Sequence, residues 1–159
     1  MSTRPDADAE LFRSIYPSLL RFARVVADRE IDPDDLVQES VAQALRRSSL
    51  TEIGEPVAYL RVTMFRLVAN QRRSLVRQRA ALQRLTQDVS LADSYPSDAL
   101  DLRRLPVLDR ALLYLTVVEG ASFEEAGRQL GRSAAALRMR KHRALRAARA
   151  LIEEGDDDV

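Results

Sequence analysis

Between Thr86 and Ala99 the chain abandons the helical spacing of its apolar residues and takes up turn formers, among them Ser90, Asp93, Ser94, Pro96, Ser97 and Asp98. This break constrains the fold more than any other feature, because a stretch of such composition does not continue a helix. It divides the 159 residues into two blocks, each near the lower size limit for an independent core. On both sides the apolar residues recur at helical rather than strand spacing. With only 5 Gly and 6 Pro, the composition is that of a soluble, helix-rich chain. The expected fold is all-α, two small helical domains joined by a flexible linker. The domains are placed at 7–85 and 99–153, the linker at 86–98 and an acidic tail at 154–159.

In the first block Leu11, Ile15, Leu19, Leu20, Ala23 and Val26 mark a helix from about Ala7 to Asp28, which Pro17 is expected to kink or split. Asp32-Pro33 supplies an N-cap followed by Pro at the first helical position. It opens a helix to about Arg47 with Leu36, Val37, Val41, Ala44 and Leu45 inward, and Asp34 and Asp35 suit its positive end. Ser48 to Glu55 reads as a loop, and Pro56 starts a long helix. At about 100° per residue, Leu60, Met64, Leu67, Val68, Leu75 and Leu82 share one side of it. Arg61, Arg66, Arg72, Arg73 and Arg77 share the other, interrupted by Val62, Phe65 and Val76.

The second block predicts helices over 98–104, 106–118, 122–130 and 133–153. Ser122 and Glu125 have the spacing of a capping box, and Gly131-Arg132-Ser133 forms a short turn before the last helix. A short helix, a tight turn with Gly and a longer Arg-rich helix are the parts of a helix-turn-helix. Leu137, Ala144, Leu145, Ala148 and Ile152 make its inward stripe, leaving Arg138, Met139, His142, Arg143, Arg146 and Arg149 outward. Early residues of such a helix meet base edges and later Arg residues meet phosphates. The bland alternative is a charged, solvated helix ending a bundle, and the lack of acids at i±4 of Arg138, Arg140, Arg143 and Arg146 weighs against it.

Net charge is only +1, yet two segments contain no acid. Pro56–Gln87 has seven Arg, and Ala126–Ile152 has seven Arg plus Lys141, so 15 of 25 basic residues sit in these stretches. All 24 acids lie elsewhere, and the pattern implies two separate polyanion contacts. The chain has no Cys and one His, His142, which leaves no thiol nucleophile, disulfide or Cys-type zinc site. With no glycine-rich phosphate loop or nucleophile-base pair either, no enzyme, metal site or cofactor is expected. No apolar run approaches the roughly 18 residues of a membrane span, and the start at Met1 to Asp8 lacks a signal-peptide pattern. A cytoplasmic, nucleoid-associated protein without membrane insertion is expected.

Asp35-Leu36-Val37-Gln38-Glu39 with Ala44-Leu45, then Ala58-Tyr59-Leu60-Arg61, Leu105-Pro106 with Arg110, Ser122-Phe123-Glu124-Glu125-Ala126, and Arg138-Met139-Arg140-Lys141-His142-Arg143-Ala144 occur in this order. The ordered set resembles the extracytoplasmic-function (ECF) sigma factors of the sigma-70 family. The resemblance implies a non-enzymatic subunit of bacterial RNA polymerase holoenzyme that directs promoter-specific initiation. Its first domain would bind the polymerase clamp helices and the minus-ten element, duplex and melted; its second, the minus-thirty-five element and the polymerase flap. Asp35, Leu36, Gln38 and Glu39 match the clamp-binding segment, although acidity at a helix N-terminus alone accounts for Asp35.

The loop 48–55 inherits capture of an unstacked base of the non-template strand, a step whose unstacking cost stacking and hydrogen bonds must offset. Arg61, Phe65, Arg66, Arg72, Arg73 and Arg77 are the minus-ten candidates, with Tyr59 and Phe65 equally readable as core. Arg138, Met139, His142, Arg143 and Arg146 are the minus-thirty-five candidates. The family often has Asn and Asp where Arg66 and Asn70 stand, Gly-Thr at Ala135-Ala136, and an apolar residue at Lys141. An anti-sigma factor is a possible further partner. The alternatives are a stand-alone helix-turn-helix regulator, which would need neither the 35–39 segment nor the second basic helix, and a sigma-like protein acting through protein binding.

Overall fold

The computed structural model describes residues 4–85 and 102–156, so the expected linker at 86–98 lies outside the described residues, as do 157–159 of the acidic tail. Among the described residues the chain is all-α, with no strand. Helix α1 (Arg4–Val26) runs through Pro17 without a break; the expected split does not occur. Pro17 is exposed, while Leu19, Phe22, Ala23 and Val26 are buried on the other side.

Helix α2 (Pro33–Leu45) begins where its cap requires. The Asp32 carboxylate accepts from the Asp34 and Asp35 amides at 2.8 and 3.2 Å, satisfying donors that the first helical turn leaves unpaired. Leu36, Val37 and Ala44 are buried as expected. Leu45, expected inward, is 49% exposed; the helix ends there, and Ser40 takes the remaining inward place by donating to the Val37 carbonyl at 2.7 Å. In the following loop Leu50–Glu52 form a single 3-10 turn. Leu50 is buried beneath it, and the Asp8 carboxylate of α1 accepts from the Thr51 amide at 3.0 Å.

Helix α3 (Pro56–Leu85) buries Leu60, Met64 and Val68. Its buried stripe stops there among the described residues: Leu82 is 60% exposed.

In the second block residues 102–104 form a 3-10 turn, and α4 (Val107–Leu113) passes into a π-helical turn at Tyr114–Val118. α5 (Phe123–Leu130) starts on the expected capping box, with the Ser122 hydroxyl accepting from the Glu125 amide at 3.1 Å and the Glu125 carboxylate accepting from the Ser122 amide at 2.8 Å. α6 (Ala134–Asp156) follows a turn in which Gly131 has φ +63°. That left-handed conformation is one that glycine adopts without a Cβ penalty. α6 extends past the expected end at Glu153, and Glu154 pairs with Arg104 at 3.0 Å.

The blocks are apposed: α5 lies on α3 and α4 on α1. Their buried residues merge into one apolar cluster running from Leu19, Phe22, Leu60 and Met64 to Leu112, Leu115, Leu130 and Leu137. Each buried Leu or Phe contributes roughly 1.5–3 kcal/mol, so the shared part of this cluster favours the apposed arrangement.

Candidate nucleic-acid interface

On α6 the sequence-derived faces hold. Leu137 and Ala144 are buried, whereas Arg138, Met139, His142, Arg143 and Arg146 are exposed along one side; Met139 is 77% exposed. The helix starts on Ser133, whose hydroxyl accepts from the Ala136 amide at 3.2 Å. Ile152, expected inward, is 47% exposed near the helix end.

Some cations of α6 find acids on other elements, beyond the reach of i±4 spacing. Arg138 lies 3.6 Å from Glu124 and over the Phe123 ring at 5.1 Å. Arg140 pairs with Asp109, and the Lys141 amine sits 5.5 Å from the Phe123 ring centre. The Lys141 stem thereby lies along the aromatic ring.

The tight turn between α5 and α6 depends on Gly127, which the sequence reading passed over. A Cβ there would lie 2.5 Å from the Arg132 carbonyl oxygen, while the Arg132 amide donates to the Gly127 carbonyl at 3.1 Å. The signal available was a Gly inside an otherwise helical octet, which marks either a weak point or a close approach.

On α3 the structure divides the six minus-ten candidates. Arg66, Arg72, Arg73 and Arg77 are exposed. Among the described residues Arg73 and Arg77 bond along their own helix: Arg73 donates to the Ala69 carbonyl at 3.3 Å and the Asn70 side chain at 3.2 Å, and Arg77 to the Arg73 carbonyl at 3.4 Å. Arg72 is 3.1 Å from Asp28. Arg61 and Phe65 are 2% and 5% exposed, which corrects the placement of Arg61 on the outer face and leaves Phe65 in the core.

The Arg61 guanidinium enters a polar site built from both blocks. It holds Glu119 through two bonds of 2.7 and 2.9 Å, and donates also to the Gln129 side chain at 2.6 Å and the Ser18 hydroxyl at 2.7 Å. Burial alone would raise the Glu119 carboxyl, but the hydrogen bond and charge of Arg61 outweigh it and hold Glu119 below its ordinary range.

A second arginine, Arg110, reaches the opposite way, donating to the Val26 carbonyl at 2.8 Å and Asp28 at 2.9 Å, and to the Arg103 and Leu105 carbonyls at 2.9 and 3.1 Å. Burial is the main cause that lowers the Arg110 guanidinium pKa from its usual value. Arg110 was singled out only through the family pattern, and its partners Val26 and Asp28 are separated from it by more than eighty positions.

The 48–55 loop, α3 and α5 enclose a cleft of about 710 Å³ lined by Arg47, Ile53, Tyr59, Arg66, Asn70 and Arg128. Tyr59 is half-buried on its wall. Among the residues expected to meet polymerase, Asp35, Gln38 and Glu39 are exposed on α2, and Leu36 is buried in the core. The Gln38 amide donates to Asp34 at 2.9 Å. Asp34 also accepts from the Tyr16 hydroxyl, a bond that pushes the Tyr16 phenol up.

Among the described residues no cluster of His, Asp or Glu side chains is arranged to hold a metal, and no helix is long and apolar enough to cross a membrane.

Residues 102–147 match the family Sigma-70, region 4. No curated protein matches the chain. Among solved structures it is similar to the sigma factor RpoE of Bartonella quintana in its complex with the anti-sigma factor NepR. That likeness has 22% identity and a TM-score of 0.60, and covers 91% of this chain and 96% of the other, so it speaks for the fold. Both agree with the resemblance read from the ordered motifs, the first over residues 102–147 and the second in fold. Over residues 102–147 the chain is thus similar to region 4 of the sigma-70 family, and as a whole it shares the fold of the RpoE protein.

Proposed function

We propose that the protein is a cytoplasmic sigma factor that binds core RNA polymerase and directs initiation at specific promoters. The observation that carries the reading is the α6 face. Arg138, Met139, His142, Arg143 and Arg146 stand exposed on a helix positioned by a capped partner helix and a glycine turn, the arrangement that places base-reading side chains in a major groove. In this reading α6 meets the minus-thirty-five element, with Arg138 nearest the bases and Arg146 nearer the phosphates. The outer arginines of α3, Arg66, Arg72, Arg73 and Arg77, hold the backbone of the minus-ten region beside the cleft under the 48–55 loop.

Asp35, Gln38 and Glu39 form an acidic, amide-bearing patch suited to a basic polymerase surface such as the clamp helices, and the 99–153 module meets the flap, with 86–98 joining the two modules. The RpoE protein that shares this fold was solved with an anti-sigma factor, and an antagonist of that kind is proposed as a further partner. Run-off transcription with purified core polymerase on a promoter library tests the function. Defined start sites are the expected result; a chain that neither binds core nor directs any start refutes it, and duplex binding without core would favour a stand-alone regulator.

A further inference from the structure

The turn that opens the 48–55 loop is tied to the N-terminal end of α1 by one carboxylate. Asp8 accepts from the Ser49 hydroxyl at 2.5 Å and from the Thr51 amide at 3.0 Å, and the Thr51 hydroxyl lies 2.7 Å from that of Ser49. With Ser49 donating to Asp8, the Thr51 hydroxyl donates in turn to Ser49, and the two form a relay of donors that ends on the carboxylate. These bonds favour the charged form, and chiefly through Ser49 they hold Asp8 below its ordinary carboxylate range. Asp8 stands forty-one and forty-three positions before its two partners, outside every segment that carries the family resemblance.

The remaining bonds of the turn are internal to it. The Glu52 amide donates to the Ser49 carbonyl at 3.1 Å, the Ile53 amide to the Leu50 carbonyl at 3.2 Å, and the Glu52 carboxylate accepts from the Ser49 amide at 3.3 Å. Such bonds keep the shape of the turn and travel with it. Its place is set by contacts with other elements, here the Leu50 side chain, 1% exposed in the core, and Asp8. An apolar plug is non-directional and fixes depth, whereas hydrogen bonds to a carboxylate fix orientation. Beyond the turn, Ile53, Gly54 and Glu55 line the cleft that also holds Tyr59, Arg66 and Asn70. A Cβ at Gly54 would meet nothing within 4 Å, so this segment takes its course from the anchored turn before it and from Pro56 after it.

We infer that Asp8 is a positioning residue for the cleft: by anchoring the Ser49–Thr51 turn to α1, it holds Ile53, Gly54 and Glu55 in place to receive an unstacked base of the minus-ten region. The inference rests on the sigma-factor reading for what enters the cleft, and on geometry for the anchor. Capture of a base must offset its unstacking, and a loop that had to order itself at that moment would lose part of the gain. Asp8 itself touches no DNA and acts only through the loop.

The test uses the full chain with core polymerase on a linear duplex carrying a promoter returned by the run-off selection. Melting is read as permanganate reactivity of thymines in the minus-ten region. Asp8→Ala should lower the melting equilibrium by about tenfold, the scale of one lost hydrogen bond to a charged group. Core binding, and binding to duplex that carries the upstream element alone, should not change. A template mispaired over the minus-ten region, where the bases are already unstacked, should restore most of the transcript.

Melting equal to that of the natural chain would overturn the inference. So would a defect that the mispaired template leaves in full, or one shared by upstream binding, since either marks Asp8 as a residue of general stability. If Asp8→Ala loses helicity by circular dichroism, Ser49→Ala decides, because it removes a donor from the loop side and leaves α1 untouched. Lowered melting in that variant supports the anchor, and natural melting overturns it. A natural chain that directs no start on any template fails the sigma-factor reading itself; normal starts with unaltered melting in the variants fail the anchor alone.

Discussion

Replacing Gly127 by Ala should destabilise the protein, although the same change in an ordinary helix stabilises it. Alanine in place of glycine in a helix interior gains roughly 0.5–1 kcal/mol. At this position the new Cβ would lie 2.5 Å from the Arg132 carbonyl oxygen and 3.6 Å from the Ala134 amide nitrogen. Carbon–oxygen contacts settle near 3.3 Å or more, so the carbonyl must retreat by about 0.8 Å. It has little freedom to do so. The Arg132 amide is bonded back to the Gly127 carbonyl, and the next residue, Ser133, caps α6. Forced backbone shifts of this kind cost about 1–3 kcal/mol, and a backbone obstacle belongs in the upper part of that range. Subtracting the propensity gain leaves a net loss of about 2 kcal/mol, or roughly 4–8 °C in Tm for a chain of this size.

Thermal and urea unfolding followed by circular dichroism measures the loss. Gly54→Ala is the control, because nothing lies within 4 Å of a Cβ there, and it should leave stability nearly unchanged. Equal or greater stability of Gly127→Ala would refute the reasoning, and would mean that the α5–α6 turn is looser than its bonds indicate.

Arg138→Ala should weaken binding to a preferred upstream promoter element by about 1–3 kcal/mol if its guanidinium leaves Glu124 for a base edge; competition binding on variant duplexes reads this, and an unchanged preference removes Arg138 from the base readers. Arg73→Ala should lower the slope of log affinity against log salt by about 0.9 on duplex DNA, because this exposed arginine bonds along its own helix among the described residues; an unchanged slope would mark it as solvated in the complex. The lowered Glu119 carboxyl makes its contribution full above the ordinary glutamate pKa of about 4.3 and lost as pH falls below that through the folded value. Unfolding measured from pH 6 down to about pH 3 should therefore show a weakening acid limb that Glu119→Gln flattens, and an identical limb in that variant would contradict the assignment.

The helix ends were readable in the sequence because caps act over three or four residues. Asp32-Pro33, Ser122 with Glu125, and Gly131 each stand where their chemistry requires, and the α6 faces followed from spacing alone. The inner end of α3 was readable for the same reason, and its outer end was not. Leu82 repeats the apolar spacing of Leu60 and Met64 yet is exposed, since periodicity states which residues share a face and is silent on whether anything packs against that face. Leu45 and Ile152 illustrate the same limit at helix ends. Arg66, expected as a minus-ten residue, and Tyr59, readable as core, line the cleft together with Arg128 of the other block, a grouping that no local spacing signals.

Arg61 marks the deeper limit. Its helical position resembles that of Arg66 and Arg73, and no local rule separates a guanidinium that awaits phosphate from one that is buried. What separates them is Glu119, fifty-eight positions away, joined by Gln129 and Ser18, three polar side chains with no mutual spacing signal. An acid-free run of arginines therefore measures the charge a helix can offer, while the distribution of distant acids determines how much of it remains free. Here that division falls along α3 itself: Arg61 is taken up by the second block, Arg72 is shared with Asp28, and Arg66, Arg73 and Arg77 face outward. Replacing Glu119 would leave the Arg61 guanidinium without its carboxylate on the same helix that carries the exposed arginines.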